Sequence, residues 1–208
     1  MQKDYKNSLI LGLIIGIFLI PTERSLGLAA QFPFIYVEFI GILAFPLLAL
    51  AGVWFSKLLF SRIPILWQFV KFGLTGVANT AINFGILNVL VSSSNIAAGW
   101  PIYLFASIAF VGSLINSYIW NSHWSFENNN SRTTKEFIEF FLVTFVGLQI
   151  NSIVVYFVAT HVTPFSGISP QRWVNVANVI ATLTVMFWNF AGFRYLVFKV
   201  HSNKMAKA

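Results

Sequence analysis

The chain has 208 residues, 57% of them hydrophobic and 9% charged, against about 25% charged in a typical soluble domain, so water is not its main solvent. Cys is absent and Asp occurs once, at Asp4, which excludes a disulfide framework, a thiol nucleophile, a Cys-based metal site and an Asp-x-Asp metal site. No G-x-x-x-x-G-K-[ST] phosphate loop is present, and no cofactor or nucleic-acid partner is expected.

Apolar runs recur from residue 8 to residue 198. A bilayer accepts such runs only as helices or closed barrels, because every backbone N–H and C=O must be paired internally. These runs approach the roughly 20 residues that cross about 30 Å of hydrocarbon, and they lack the alternating polar period of barrel strands. The expected fold is all-α, a polytopic membrane helix bundle. Six spans are read, at 8–20 (extendable toward 28), 34–60, 66–92, 101–121, 137–159 and 173–197.

The first span starts with Lys3 and Lys6 ahead of an apolar stretch from Ser8 to Ile20, and Gly27 to Ala30 come after it. The same pattern suits a secretory signal peptide, which is the alternative reading of this segment. Gly12 and Gly16 form a G-x-x-x-G pair that allows another helix to approach closely.

An inside amino terminus places eleven of the thirteen Lys and Arg residues on the cytoplasmic side and leaves only Arg24 and Arg172 outside. That is a strong positive-inside bias. Asp4, Glu127, Glu136 and Glu139 fall on the same inner side, while Glu23 and Glu38 balance the two outer arginines, so the whole net charge of +7 faces inward. Both termini are therefore expected in the cytoplasm, with the protein in the cytoplasmic membrane. Trp67, Trp100, Tyr103, Trp120, Trp124 and Trp173 fall near span ends, where an interfacial aromatic belt belongs.

The chain repeats itself. Phe69 to Gly76 with Ile82-Asn83 matches Phe137 to Thr144 with Ile150-Asn151 at an offset of 68. Ser117-Tyr118, Trp124 and Phe126 match Asn189-Phe190, Leu196 and Phe198 at an offset of 72. The unit is a two-helix hairpin, and an even number of crossings between copies makes the repeat parallel, about an axis along the membrane normal. The expected organisation is an N-terminal transmembrane hairpin at 1–62, a four-span domain at 63–199 and a cytoplasmic tail at 200–208.

Over roughly 66–199 the residues resemble the GtrA family, small membrane proteins of cell-surface polysaccharide synthesis related to the membrane region of polyprenyl-phosphate mannose synthases. The likeness rests on Gln68-Phe69-Val70-Lys71-Phe72 with Gly76 and Asn79, on Asn116-Ser117-Tyr118 with Asn121, Trp124 and Phe126, and on Asn189-Phe190 with Phe193-Arg194, Val197 and Phe198. Ser122 and His123 stand where the family often carries basic residues, and Phe193 stands where it carries Asn. The resemblance implies handling of a sugar on a polyprenyl phosphate, often beside a membrane-associated glycosyltransferase.

Polar residues at membrane depth are the functional candidates. Asn83 lies twelve residues after Lys71, about 18 Å deeper at 1.5 Å per residue, near the midplane. Asn151 lies the same interval after Glu139, so the repeat offers two amides at one depth. With Asn79, Asn116, Asn121 and Asn189 they are candidates for a polar groove that hydrogen-bonds sugar hydroxyls. The competing reading of each is interhelical glue. Lys71, Arg194 and Lys199 share the level of the inner interface, where they suit a lipid phosphate. Lys71 and Glu139 occupy equivalent positions and are also candidates for an ion pair. Asn175 and Asn178 lie near the outer end of the last span, His123 is a lone interfacial histidine, and the segment 127–136 reads as a solvated loop. Glu38 lies a few residues inside the outer interface, so snorkelling, or pairing with Arg24 or Arg172, is expected rather than proton coupling.

Two functions suit these features. The first is a flippase for a polyprenyl-phosphate-linked sugar: the basic ring holds the phosphate, the amide groove passes the glycan and the tail stays in membrane lipid. The second is a non-transporting anchor or activator of a separate glycosyltransferase. A small-solute exporter would need a carboxylate near the midplane of the repeat, and none exists there. The acids are too scattered for catalysis by this chain, and four core spans make a bundle narrow enough that a homodimer is one plausible assembly.

Overall fold

The computed structural model describes residues 2–25, 34–96, 100–127, 133–163 and 170–198. Six long helices hold most of them: α1 (Gln2–Ser25), α2 (Phe34–Phe60), α3 (Pro64–Ser94), α4 (Trp100–Trp120), α5 (Thr134–His161) and α6 (Pro170–Gly192). A single π turn continues α4 over Asn121–Ser125, and another continues α6 over Phe193–Val197. Among the described residues there is no strand. Every expected span lies on one of these helices. Among the described residues five segments are long and apolar enough to cross a membrane: Gln2–Ser25, Glu38–Phe60, Pro64–Ser94, Leu104–Ser125 and Ile180–Val197. The fifth expected span falls on α5, whose 28 residues reach about 42 Å at the α-helical rise. The fold is the expected polytopic helical bundle.

Local chemistry sets the helix ends. Pro64 opens α3, where the missing N–H costs nothing and the fixed φ is already helical, and Asn95 closes it in the left-handed conformation at φ 56°. Thr133 caps α5 by accepting a hydrogen bond from the Glu136 backbone N–H at 3.1 Å.

The chain forms two compact units, residues 1–128 and 129–208. This division falls inside the four-span domain expected at 63–199, because the N-terminal hairpin packs onto the first repeat copy. In the first unit α1 contacts both α2 and α3, and α3 contacts α4. Leu11 and Ile15 of α1, Val53 of α2, Ala78 and Ala81 of α3, and Trp124 share one core. The G-x-x-x-G pair makes the expected close approach, and its partner is α2. A Cβ on Gly12 would lie 2.4 Å from the Pro46 Cα, and one on Gly16 would lie 3.0 Å from the Gly41 carbonyl oxygen. Ion pairs close both ends of the hairpin. Arg24 Nε and Nη2 donate to the two carboxylate oxygens of Glu38 at 2.7 and 3.1 Å, the first of the two partners expected for Glu38. At the other end Lys57 Nζ donates to Asp4 at 3.0 Å.

In the second unit α5 packs along α6. Phe140, fully buried, stacks on Phe193 at 4.4 Å between ring centroids. Trp188 Nε1–H donates to the Val143 carbonyl at 2.9 Å. Val143 lies against Gly192, where a Cβ would come within 2.5 Å of it.

Outside these contacts the helices present apolar surface. Leu48 of α2 is 64% exposed and Phe39, Ile40, Leu43, Leu47 and Phe55 are exposed beside it, a face that lipid covers at no cost and water does not. The α1–α2 contact gives a direct test. Gly12→Leu, facing backbone that cannot yield, is expected to cost at least 1–3 kcal/mol. Gly52→Leu, with open space around its Cβ, is expected to change stability by less than about 0.5 kcal/mol. Thermal unfolding in detergent, followed by circular dichroism, reads the difference.

Candidate functional site

The two repeat copies carry the same unusual backbone. The second helix of each hairpin leaves α geometry for one turn, at positions separated by the offset of 72 read from the sequence. The Phe126 N–H donates to the Asn121 carbonyl at 2.9 Å, and the Phe198 N–H donates to the Phe193 carbonyl at 2.8 Å. These i→i+5 bonds add a residue to the turn without orphaning a backbone group, and such turns are frequent at functional sites. The closing phenylalanines pack on the first helix of their own hairpin at matching places. Phe126 lies 6.2 Å from Phe72, and Phe198 lies 6.3 Å from Phe140. Phe72 and Phe140 are themselves related by the offset of 68.

The side chains on these turns differ between copies. In the first unit Asn121, Ser122, Trp124 and Ser125 are buried. Trp124 Nε1–H donates to Asp4 Oδ1 at 3.1 Å, so one carboxylate ties α1 both to the π turn and to Lys57. Lys71 is 2% exposed and its ammonium donates to Glu127 Oε1 at 2.7 Å. Glu127 comes after the π turn in a left-handed conformation at φ 49°, which folds it back over the end of α3. One helical turn on, Thr75 Oγ1 donates to the Lys71 carbonyl at 3.0 Å and sits 3.3 Å from Ser125 Oγ. Within its own unit Lys71 holds Glu127, and within the other Glu139 lies 3.8 Å from Lys135, one turn before it.

In the second unit Phe193, Arg194 and Val197 are buried on the π turn. Arg194 is 5% exposed, and among the described residues its Nε and Nη1 have no hydrogen-bond partner. Its guanidinium lies 5.5 Å from the centroid of the adjacent Tyr195 ring. Lys199, the third member of the expected phosphate set, lies outside the described residues, as do the side chains of Asn175 and Asn178, the loop 128–132 and the tail.

The amides separate into two classes. Asn116 Nδ2 donates to Asn79 Oδ1 at 2.7 Å, joining α4 to α3 as interhelical glue. Asn121 Nδ2 donates to Ser117 Oγ at 3.1 Å, and its buried Oδ1 has no partner among the described residues. Asn189 Oδ1 is also buried with no partner among the described residues, and it sits 2.7 Å from where a Cβ on Gly147 would be. Asn83 and Asn151 are both half-buried. Sequence reasoning missed Asp4 as the hub of the first unit and missed Glu127 as the partner of Lys71. No local signal marks either, because their partners lie 120 and 56 positions away. Among the described residues no group of three His, Asp or Glu is placed to hold a metal ion.

The family model for the GtrA/DPMS transmembrane domain matches residues 71–198, which spans both hairpins and both π turns. The chain is similar to the uncharacterized membrane protein YngA of Bacillus subtilis (strain 168), at 29% identity over 129 residues, covering 62% of this chain and 77% of that protein. No solved structure matches. The repeated hairpins, their apolar helices and this match over more than half of the chain agree, and the chain belongs to the GtrA/DPMS transmembrane-domain family as a multi-pass membrane protein of glycan synthesis.

Proposed function

We propose that the chain moves a polyprenyl-phosphate-linked sugar across the cytoplasmic membrane, with both termini inside and with Arg194 receiving the phosphate. The observation that carries this reading is the buried guanidinium whose Nε and Nη1 lack partners among the described residues. An uncompensated buried charge costs several kcal/mol, and a phosphate offsets that cost by its opposite charge and by accepting from one of these donors, which lie on different edges of the guanidinium. Lys199, five positions on, would add a second cation to the same phosphate. Lys71 is held by Glu127, so it contributes only if a ligand displaces that carboxylate. The unpartnered amide oxygens of Asn121 and Asn189 suit the hydroxyls of a sugar, and Asn83 and Asn151 are left as groove candidates. No phosphate loop supplies ATP, so movement runs down a gradient, kept directional by consumption of the lipid-linked sugar outside.

The second reading, an anchor or activator of a partner glycosyltransferase, is favoured by one observation. Asn79 and Asn116 satisfy each other, and Lys71 is neutralised within its own unit, as in a structural scaffold. A second copy of the chain remains a proposed partner in either reading.

Liposome reconstitution separates the two. Wild type is expected to expose an inner-leaflet polyprenyl-phosphate sugar to an impermeant outside reagent, and Arg194→Gln to slow that exposure at least about tenfold, the loss of one charge-assisted hydrogen bond. Wild type indistinguishable from empty liposomes would establish the anchor reading instead. Arg194→Gln is also expected to leave the unfolding midpoint unchanged or raised, since it removes an unpaired buried charge. Asn116→Leu is expected to lower stability by about 0.6–2 kcal/mol through loss of the bond to Asn79. Asn83→Leu with Asn151→Leu is expected to slow transport while leaving the midpoint nearly fixed, read by the same two assays.

A further inference from the structure

The N-terminal hairpin lies outside the matched region 71–198 and takes no part in the proposed transport of a lipid-linked sugar. It nevertheless carries a cleft. Where α2 ends in the turn toward α3, a cavity of about 450 Å³ is lined by Tyr5, Trp54, Lys57, Leu58, Ser61 and Arg62. Its two sides differ in chemistry. Trp54, Leu58 and Leu59 are exposed apolar side chains on a helix apolar enough to span a membrane, so this side faces acyl chains. Lys57, Ser61, Arg62 and Tyr5 bring two cations and two hydroxyls to the other side.

The charges do not cancel. Lys57 Nζ is shared with Asp4 at 3.0 Å, and Arg62 is exposed at the turn with no ion-pair or hydrogen-bond partner among the described residues. One acid against two bases leaves the cleft one positive charge in excess. Lys57 is fixed by more than Asp4: its ammonium lies 5.3 Å from the Tyr5 ring centroid and 5.5 Å from that of Trp67. The cation is therefore held in place before any ligand arrives, and Arg62 supplies the free fork. A ligand that fits has an anionic phosphate head for Arg62 and Lys57 and an apolar tail leaving past Trp54 and Leu58.

We propose that this cleft is a binding site for the phosphate headgroup of an anionic membrane lipid, supplied by the hairpin that the chain carries in addition to the family domain. A zwitterionic head brings its own cation against the excess positive charge and is held more weakly. The site is independent of Arg194.

The test is native mass spectrometry of the full chain released from detergent with phosphatidylglycerol or phosphatidylethanolamine, for wild type, Arg62→Gln, Arg62→Lys and Arg194→Gln. Wild type is expected to retain one phosphatidylglycerol about tenfold more tightly than phosphatidylethanolamine. Arg62→Gln is expected to lose that preference, Arg62→Lys to keep most of it and Arg194→Gln to keep all of it. Arg62 lies exposed in a turn, so its variants are expected to unfold at the wild-type midpoint, which is checked alongside. Equal retention by wild type and Arg62→Gln overturns the proposal, as does loss in Arg194→Gln alone, which would move the lipid to that residue. Glycerol phosphate is added as a competitor. Failure to compete fixes a lipid as the source, and displacement at concentrations equal to the lipid overturns it in favour of a soluble phosphate.

Discussion

Hydrocarbon tolerates no unpaired backbone amide, and the π turns show how much freedom that constraint leaves. A helix ending near a membrane surface can be interrupted only by a change that keeps every N–H bonded. An i→i+5 turn does so while inserting one residue and rotating the side chains beyond it. Both copies place it at the same point, and in both the closing phenylalanine drops onto the first helix of its hairpin. Trp124 is buried on one of these turns and Arg194 on the other.

On this common backbone the two units carry opposite electrostatics. The first is closed on itself: Asp4 accepts from Lys57 and Trp124, and Lys71 is neutralised by Glu127. The second holds a buried guanidinium with two unused donors and no carboxylate on its turn. At the repeat position equivalent to Arg194 the first copy has Ser122, a small side chain that donates to the Ile119 carbonyl at 3.1 Å. The repeat thus preserves the backbone turn while its two copies carry different side chains on it.

Much of this was legible in the sequence, because the bilayer imposes signals that do not depend on detailed packing. The span positions come from apolar run length, the hairpin repeat from Phe72, Phe126, Phe140 and Phe198, and the close helix approach from Gly12 and Gly16. Arg24 could be named beside Arg172 as a candidate partner of Glu38 because all three lie near outer span ends, and it is Arg24 that makes the pair. The features that could not be read depend on backbone angle and helix rotation. No residue type marks a π turn. Glu127 reaches Lys71 only because its φ is positive, and nothing in a glutamate announces that. Asn79 and Asn116 were both singled out as polar at membrane depth, but whether they face a groove or each other is a matter of rotation about α3 and α4.

The hairpin of α1 and α2 carries its charges in a definite sense. Along α1 Asp4 lies near the start, between Lys3 and Lys6, and Arg24 near the end, beside Glu23; along α2 Glu38 lies near the start and Lys57 near the end. Laid antiparallel, Asp4 meets Lys57 and Arg24 meets Glu38, with Glu23 and Glu38 left as a repulsion at one end. The two pairs act as clasps at opposite ends of the hairpin, and the glycine contact between them sets how close the helices come.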